Sequence, residues 1–295
     1  MDLLRPESVE EASAALAGSA ERNGAVALGG GTDLVPLLRD GIVKADTLVE
    51  LVRCIPRGLH PATQPAAAGS TSVVTIGAGT TLGELEADPQ IPTALREACR
   101  LSASPQLRAV GTIGGNLLQA TRCWYWRLKF PCYLHGGDRC HAKEGQHREH
   151  AFFGNERCAS AHPSDPAAAL LALDARIRTD RRELGMAELY RLPTDEDRDV
   201  TTLEHGELIL ELNVPEVSSS TYLKAMDRRR WAFALVGVAA ARFGDDVRFG
   251  LAGVAPIPWP GLDGATPLPG TAYKTQILDA LVRRARIQVG DSRVS

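Results

Sequence analysis

Four of the chain's six cysteines, Cys123, Cys132, Cys140 and Cys158, fall within one 36-residue stretch. A glycine-rich turn, Gly111-Thr-Ile-Gly-Gly-Asn116, precedes that stretch, and His162-Pro-Ser-Asp165 follows it. The spacing, Cys-x8-Cys-x7-Cys-x17-Cys, lacks the C-x2-C pairs of zinc ribbons and ferredoxins. Spacing alone therefore does not separate a zinc site from an iron–sulfur cluster. Isolated buried thiols are the third reading, since free cysteine behaves as a small hydrophobe. Against it, the intervening sequence is polar and loop-like, with Gly136-Gly137 and His141-Ala-Lys-Glu-Gly145, and has no apolar periodicity.

The surroundings of these cysteines suit thiolates. Arg122, Arg127, Lys129, Arg139 and Arg157 would favour the ionised form and offset the charge of a thiolate-ligated cluster. Seven of the fifteen aromatic residues lie within 123–153, enough to shield a cluster from water. His135, His141, His147 and His150 are either extra nitrogen ligands for zinc or solvated loop residues. Cys54 and Cys99 stand outside the group and read as core or surface thiols.

Composition narrows the class. With 295 residues, 44% hydrophobic and 23% charged, the chain can bury a sizeable core in two or so domains. A net charge of −3 gives no nucleic-acid footprint. No apolar run approaches the ~20 residues that cross a bilayer, so membrane insertion is not expected. The start, Met1-Asp-Leu-Leu-Arg-Pro, lacks the layout of a signal peptide, which makes the cytoplasm the default. Export in folded form beside a signal-bearing partner would instead place the chain in the periplasm. A reducing compartment favours cysteines that ligate metal over disulfides.

Along the chain the pattern is α+β. A helix is predicted over 8–22, capped by Ser8 with Glu11 at its third position. Strands are predicted at 25–28 and 47–52, with a helix from Leu34 between them. Residues 53–72 read as a linker, 73–78 as a strand, and Leu82 onward as a helix capped by Thr81 and Glu84. Helices follow at 92–103 and 166–173, and a strand at 175–179. Charged runs at 180–183 and 195–199 mark a boundary near 177, and a weaker break falls near 56. Beyond them, 207–214, 220–224 and 247–254 read as strands and 275–286 as a helix, while 232–242 fits either.

Gly29-Gly-Gly-Thr-Asp33 lies between a strand and a helix, where glycines let backbone N–H groups close on a diphosphate. A tight turn requiring positive φ explains the same residues equally well. It is not a G-x-G-x-x-G fingerprint, so a nicotinamide site is unsupported. Gly111 to Asn116 is similar in kind: Thr112 and Asn116 can donate to phosphate oxygens, and Gly114 and Gly115 clear space. Two such loops together suit a ligand with two phosphates. Asp165 can accept from ribityl hydroxyls or serve as a helix N-cap.

The order GGGTDL (29–34), VGTIGGNLLQ (110–119) and HPSD (162–165) resembles the FAD-binding subunit of molybdenum hydroxylases. That group includes the medium subunit of carbon monoxide dehydrogenase and the flavin portion of xanthine dehydrogenase. The resemblance spans roughly residues 1–290. It implies an α+β fold: a vanillyl-alcohol-oxidase-like (PCMH-type) FAD-binding region of two α/β subdomains, then a C-terminal α+β domain with an antiparallel sheet and helices. The corresponding ranges are 1–55, 56–176 with a cysteine insert at 122–158, and 177–295.

The resemblance further implies that Ala27, Leu28, Gly29, Gly30, Gly31, Thr32, Asp33 and Leu34 bind FAD together with Gly111, Thr112, Gly114, Gly115 and Asn116. It puts Asp165 on the ribityl chain, Lys224 near the flavin, and Arg228 and Trp231-Ala-Phe233 close to the isoalloxazine. The cysteine insert is similar to that of two subgroups, the periplasmic aldehyde oxidoreductase flavin subunits and the 4-hydroxybenzoyl-CoA reductase β subunits. Both carry an additional [4Fe–4S] cluster there, which implies Cys123, Cys132, Cys140 and Cys158 as its ligands.

On this reading the chain passes electrons through FAD between a partner's [2Fe–2S] clusters and an external acceptor. The partners implied are a molybdenum-cofactor large subunit and a [2Fe–2S] small subunit. In a reductase of the 4-hydroxybenzoyl-CoA type, electrons would run toward molybdenum. No G-x-S-x-G or nucleophile–base pattern is present, so no catalytic acid–base residue is expected. A stand-alone flavin oxidase would need a substrate domain larger than the roughly 120 residues after 176. The expectation from another class is a zinc-stabilised, non-enzymatic scaffold.

Overall fold

The computed structural model describes residues 1–18, 24–61, 73–227 and 231–291. The first unit is a parallel three-stranded sheet. Strand β1 (Asp2–Leu4) leads to helix α1 (Val9–Ala17), then β2 (Ala25–Leu28), α2 (Leu34–Arg39) and β3 (Thr47–Glu50), with sheet order β1-β3-β2. Parallel neighbours need crossovers, and α1 and α2 supply them. The Ser8 hydroxyl accepts from Glu11 N–H at 3.1 Å, while the Glu11 carboxylate accepts from Glu7 N–H at 2.9 Å. Residues 19–22 of the predicted helix lie outside the described residues, as do 62–72 of the predicted linker and Arg228.

The second unit begins with β4 (Leu59–Pro61) and β5 (Val73–Gly77), followed by α3 (Leu82–Ala87) and α4 (Thr93–Leu101). The predicted cap of α3 is present: Thr81 Oγ1 accepts from Glu84 N–H at 3.3 Å, and Thr81 N–H donates to the Glu84 carboxylate at 2.8 Å. Short helices α5 (Pro105–Arg108), α6 (Ile113–Leu117), α7 (Trp124–Arg127) and α8 (His141–Glu144) lead to α9 (Asp165–Ala172). Strands β6 (Arg176–Thr179), β7 (Glu183–Gly185) and β8 (Ile209–Pro215) complete an antiparallel sheet of order β4-β5-β8-β6-β7. Val73 pairs with Pro215 and Gly77 with Glu211. A boundary at 177 would thus cut through one sheet, so the C-terminal unit is drawn instead from the end of β8.

That third unit is the antiparallel sheet β12-β11-β10-β9, formed by β9 (Ser219–Asp227), β10 (Trp231–Phe243), β11 (Asp246–Ala252) and β12 (Trp259–Pro260). Helix α10 (Tyr273–Gln288) packs on β9 and β10. The 232–242 segment is settled as strand because Ala239, Ala240 and Ala241 pair on both sides, with Tyr222 to Ser220 and with Gly250 to Arg248. The alanines of α9 have a reason too. A Cβ at Gly250 would stand 2.1 Å from the Ala168 carbonyl oxygen, so β11 runs almost on the helix backbone. Ala167, Ala168, Ala169 and Leu170 are fully buried there. Among the described residues, no helix is long and apolar enough to cross a membrane.

Candidate functional site

A cleft of about 890 Å³ opens where the first sheet, α6 and the C-terminal sheet meet. Its floor is the pair of glycine loops, packed on each other. A Cβ at Gly30 would lie 2.1 Å from the Val110 carbonyl oxygen, and one at Gly29 would lie 3.0 Å from Thr112 Oγ1. Gly31, at φ +69°, is the position that needs left-handed backbone. Close approach and positive φ thus fall on different glycines of one loop. Ala27, Thr32 and Leu34 also line the cleft; Leu28 does not, and its side chain packs beside Gly31.

The second loop is fixed from below. Gly114 N–H donates to Ala78 O at 2.9 Å, and Ile113 N–H to Thr80 O at 2.8 Å. Thr112 caps α6, its hydroxyl accepting from Gly115 N–H at 3.2 Å. That hydroxyl keeps its own proton for an acceptor in the cleft, and Gly115 is exposed beside it. Asn116 accepts from Ser164 Oγ at 2.6 Å through Oδ1, which leaves its amide N–H groups as donors.

Three residues expected at the ligand turn out to organise the walls. Asp33 accepts from Ala120 N–H at 2.8 Å, from Arg122 at 2.7 Å and from Arg127 at 2.9 Å, so its carboxylate ties the first loop to the start of the cysteine segment. Asp165 is not the N-cap of α9. That role belongs to Ser164, which accepts from Ala167 N–H at 3.0 Å. The buried Asp165 carboxylate accepts from Lys224 Nζ at 2.6 Å, Tyr222 OH at 2.5 Å and Ser102 Oγ at 3.3 Å. Lys224 spends its other N–H groups on Leu101 O and Ala232 O, each at 2.9 Å. Both residues border the cleft, but their polar atoms face each other.

Burial shapes the neighbouring titratable groups. His162 is buried, and its pKa falls to about 3 because the charged imidazole would be desolvated. Its ring meets Tyr190 edge-on at 4.9 Å, and the Tyr190 hydroxyl donates to Leu117 O at 3.0 Å. The chain after the cysteines is thereby anchored to the helix that follows the second loop.

The cysteines have a shared local geometry. Cys123, Cys132 and Cys140 each stand at the head of a short helical turn: α7, a 3-10 turn at Tyr133–His135, and α8. Backbone N–H groups of these turns favour the thiolate form, those of Tyr125 and Trp126 at Cys123, Leu134 and His135 at Cys132, and Ala142 and Lys143 at Cys140, although none of the three sulfurs caps its turn with a hydrogen bond. Ser160 N–H donates to Cys158 Sγ, and Ala159 N–H to Cys140 Sγ, both at 3.4 Å. The hydrogen bond from Cys158, then the amides, lowers the Cys140 pKa to about 5. Cys158 is pushed up by the same pairing and by burial, and Cys123 rises to about 11 through burial.

The positive groups expected to stabilise thiolates are used elsewhere. Arg122 and Arg127 hold Asp33, Lys129 donates to Asp40 O, Arg139 pairs with Glu144, and Arg157 pairs with Asp195. Backbone amides take over that role, which the sequence pattern did not disclose. Of the histidines, His135 stacks on Trp126 and contacts Trp126 O, and His147 spans Ala142 O and Gly270 N. Of the four rings, that of His150 alone hydrogen-bonds a cysteine sulfur, with Nε2 at 3.2 Å from Cys123 Sγ. All six cysteines are free thiols, and Cys99 is fully buried in the core. Among the described residues, no three His, Cys, Asp or Glu side chains converge to hold a single metal ion.

Comparison with known proteins adds to this geometry. Residues 1–217 match the family described as the FAD binding domain in molybdopterin dehydrogenase. The chain is 36% identical over 247 residues to the aldehyde oxidoreductase FAD-binding subunit PaoB of Escherichia coli (strain K12), covering 80% of this chain and 76% of that protein. Its fold is similar to a chain of carbon monoxide dehydrogenase from Hydrogenophaga pseudoflava, with TM-score 0.67 at 23% identity over 98% and 97% of the two chains. It is equally similar to a chain of quinoline 2-oxidoreductase from Pseudomonas putida 86, with TM-score 0.67 at 18% identity over 100% and 98%.

Proposed function

Because the chain belongs to the family of FAD-binding domains of molybdopterin dehydrogenases, we propose that it binds FAD in the cleft and a [4Fe–4S] cluster on Cys123, Cys132, Cys140 and Cys158. One observation carries the pairing of the two centres: Asp33, at the end of the first glycine loop, grips Arg122 and Arg127, which bracket the first cysteine turn. The aldehyde oxidoreductase type is favoured by the identity with PaoB across most of the chain. A molybdenum-cofactor large subunit and a [2Fe–2S] small subunit would complete the complex, and the substrate would bind on a partner.

The residues divide the work. The stacked glycine loops bring backbone N–H groups to the diphosphate, and the Thr112 hydroxyl and Asn116 amide can donate beside them. FAD, when bound, exchanges electrons in pairs with one side and singly with iron–sulfur centres. The Ala159 and Ser160 N–H groups, which donate to the Cys140 and Cys158 sulfurs, would help to hold those two thiolates in ligating orientation. Half-buried Trp124 and Tyr125 pack on each other and screen this segment partly from water, while Phe130 stays exposed at its edge.

Anaerobically purified complex is expected to show flavin bands and, in this chain, about four irons with matching labile sulfide. Zinc without labile sulfide would remove the cluster, and absence of flavin would remove the electron-transfer role. Cys140→Ser is expected to lose most of that iron and keep FAD. Gly115→Val should do the reverse, since a Cβ there already meets the capping Thr112 Oγ1 at 3.0 Å. Flavin and iron assays on each variant check both; joint loss in both would show that the two sites are not separable.

A further inference from the structure

Between the cleft and Cys123 lies a second, small cavity of about 20 Å³, walled in part by Arg122, Cys123, His150, His162 and Phe233. A water molecule requires about 10–15 Å³ of such space and two to four polar partners. Two buried polar atoms on these walls lack a partner, Arg122 Nε and His150 Nδ1. Left so, each costs on the order of a lost hydrogen bond, and native interiors seldom tolerate that.

The chemistry of the two atoms is complementary. Arg122 Nε–H can only donate. A neutral imidazole carries one N–H; with Nε2 at 3.2 Å from Cys123 Sγ, the donor suits the sulfur and Nδ1 is left as acceptor. One water in this cavity can accept from Arg122 Nε–H and donate to His150 Nδ1, which would satisfy both. The ring is held for this. Its backbone carbonyl accepts from the buried Lys274 Nζ at 2.8 Å, and Trp124 meets it edge-on at 4.6 Å. Arg122 is held by Asp33 and lies over the Phe233 ring at 4.7 Å.

We propose that His150 is a positioning residue that donates Nε2–H to the Cys123 sulfur, and that a single buried water links its Nδ1 to Arg122 Nε. This rests on the cluster reading above. A hydrogen bond to a ligating sulfur stabilises the more negatively charged, reduced state, so His150 raises the reduction potential of the cluster. The chain of contacts from Cys123 through His150, the water and Arg122 ends on Asp33 of the first glycine loop.

The test is a redox titration of the intact complex, followed by electron paramagnetic resonance, with iron and FAD assayed on the same samples. His150→Phe keeps an aromatic ring but no donor, and is expected to lower the cluster midpoint with iron and FAD unchanged. His150→Gln, whose amide can donate, should restore part of the shift. An unmoved midpoint at full iron overturns the assignment, and so does loss of iron with FAD retained, which would make His150 a ligand. Absence of iron from the wild-type complex would instead overturn the cluster reading itself.

Should His150→Phe fail to accumulate, wild-type complex labelled with 15N-histidine decides the matter. A weak nitrogen coupling with an exchangeable proton is expected; a coupling of directly bonded size, or none, overturns the proposal. The water is tested by a high-resolution crystal structure. Density within hydrogen-bond reach of both atoms supports it, and direct Arg122–His150 contact overturns it.

Discussion

Lys224→Met is expected to destabilise the chain by about 3–5 kcal/mol, as seen when one partner of a buried ion pair is removed. The Lys224 and Asp165 side chains are 1% and 3% exposed, so water cannot replace what is lost. Methionine would fill the space but leave the Asp165 carboxylate with only the Tyr222 and Ser102 hydroxyls. The carbonyls of Leu101 and Ala232 would lose a donor as well. Those two carbonyls belong to α4 and β10, and Asp165 opens α9, so one ammonium group joins three elements around the cleft. Denaturant unfolding of the full chain measures the effect. Adding Asp165→Asn should recover part of it, because the stranded charge is then gone. A single variant within about 0.5 kcal/mol of wild type would show that the pair is not what fixes this wall.

Lys224 also shows what the sequence alone could and could not disclose. Local chemistry was readable: the caps at Ser8 and Thr81, the strand at Ala25–Leu28 and the helix at Tyr273–Gln288 depend on neighbours a few residues away. Long-range pairing was not. The charged run after Thr179 suggested a boundary, yet Ile177 pairs with Leu212, and β8 joins it to β5 across more than a hundred residues. Strand β1 leaves no mark in the sequence pattern because its three residues are exposed and only the partner β3 makes them a strand. At the site, the glycine loops were legible because only glycine permits their contact. The roles of Asp33, Asp165 and Lys224 depend on which distant side chain each meets. Arg122 and Arg127 flanking the first cysteine turn were a usable signal, since two cations on one wall call for a carboxylate.

Gly30→Ala is expected to remove FAD almost completely. The added methyl would stand 2.1 Å from the Val110 carbonyl oxygen and 2.8 Å from its carbon. Overpacking usually costs ~1–3 kcal/mol. Here the obstacle is backbone and cannot rotate away, so relief requires the two loops to separate, which dismantles the floor of the cleft. Gly41→Ala is the control: at φ +64° it strains the backbone by about 1–2 kcal/mol, but its nearest contact is Lys129 Nζ at 3.6 Å and it is not part of the cleft wall. That variant should keep its flavin, which separates loss of the site from loss of stability. Flavin released on denaturation, per chain, gives the readout. Iron is expected to fall in Gly30→Ala as well, unlike in Gly115→Val, because the loop that moves carries Asp33 and with it the grip on Arg122 and Arg127. Full retention of iron beside lost flavin would mean that this carboxylate holds the cysteine segment loosely enough for the two centres to assemble independently.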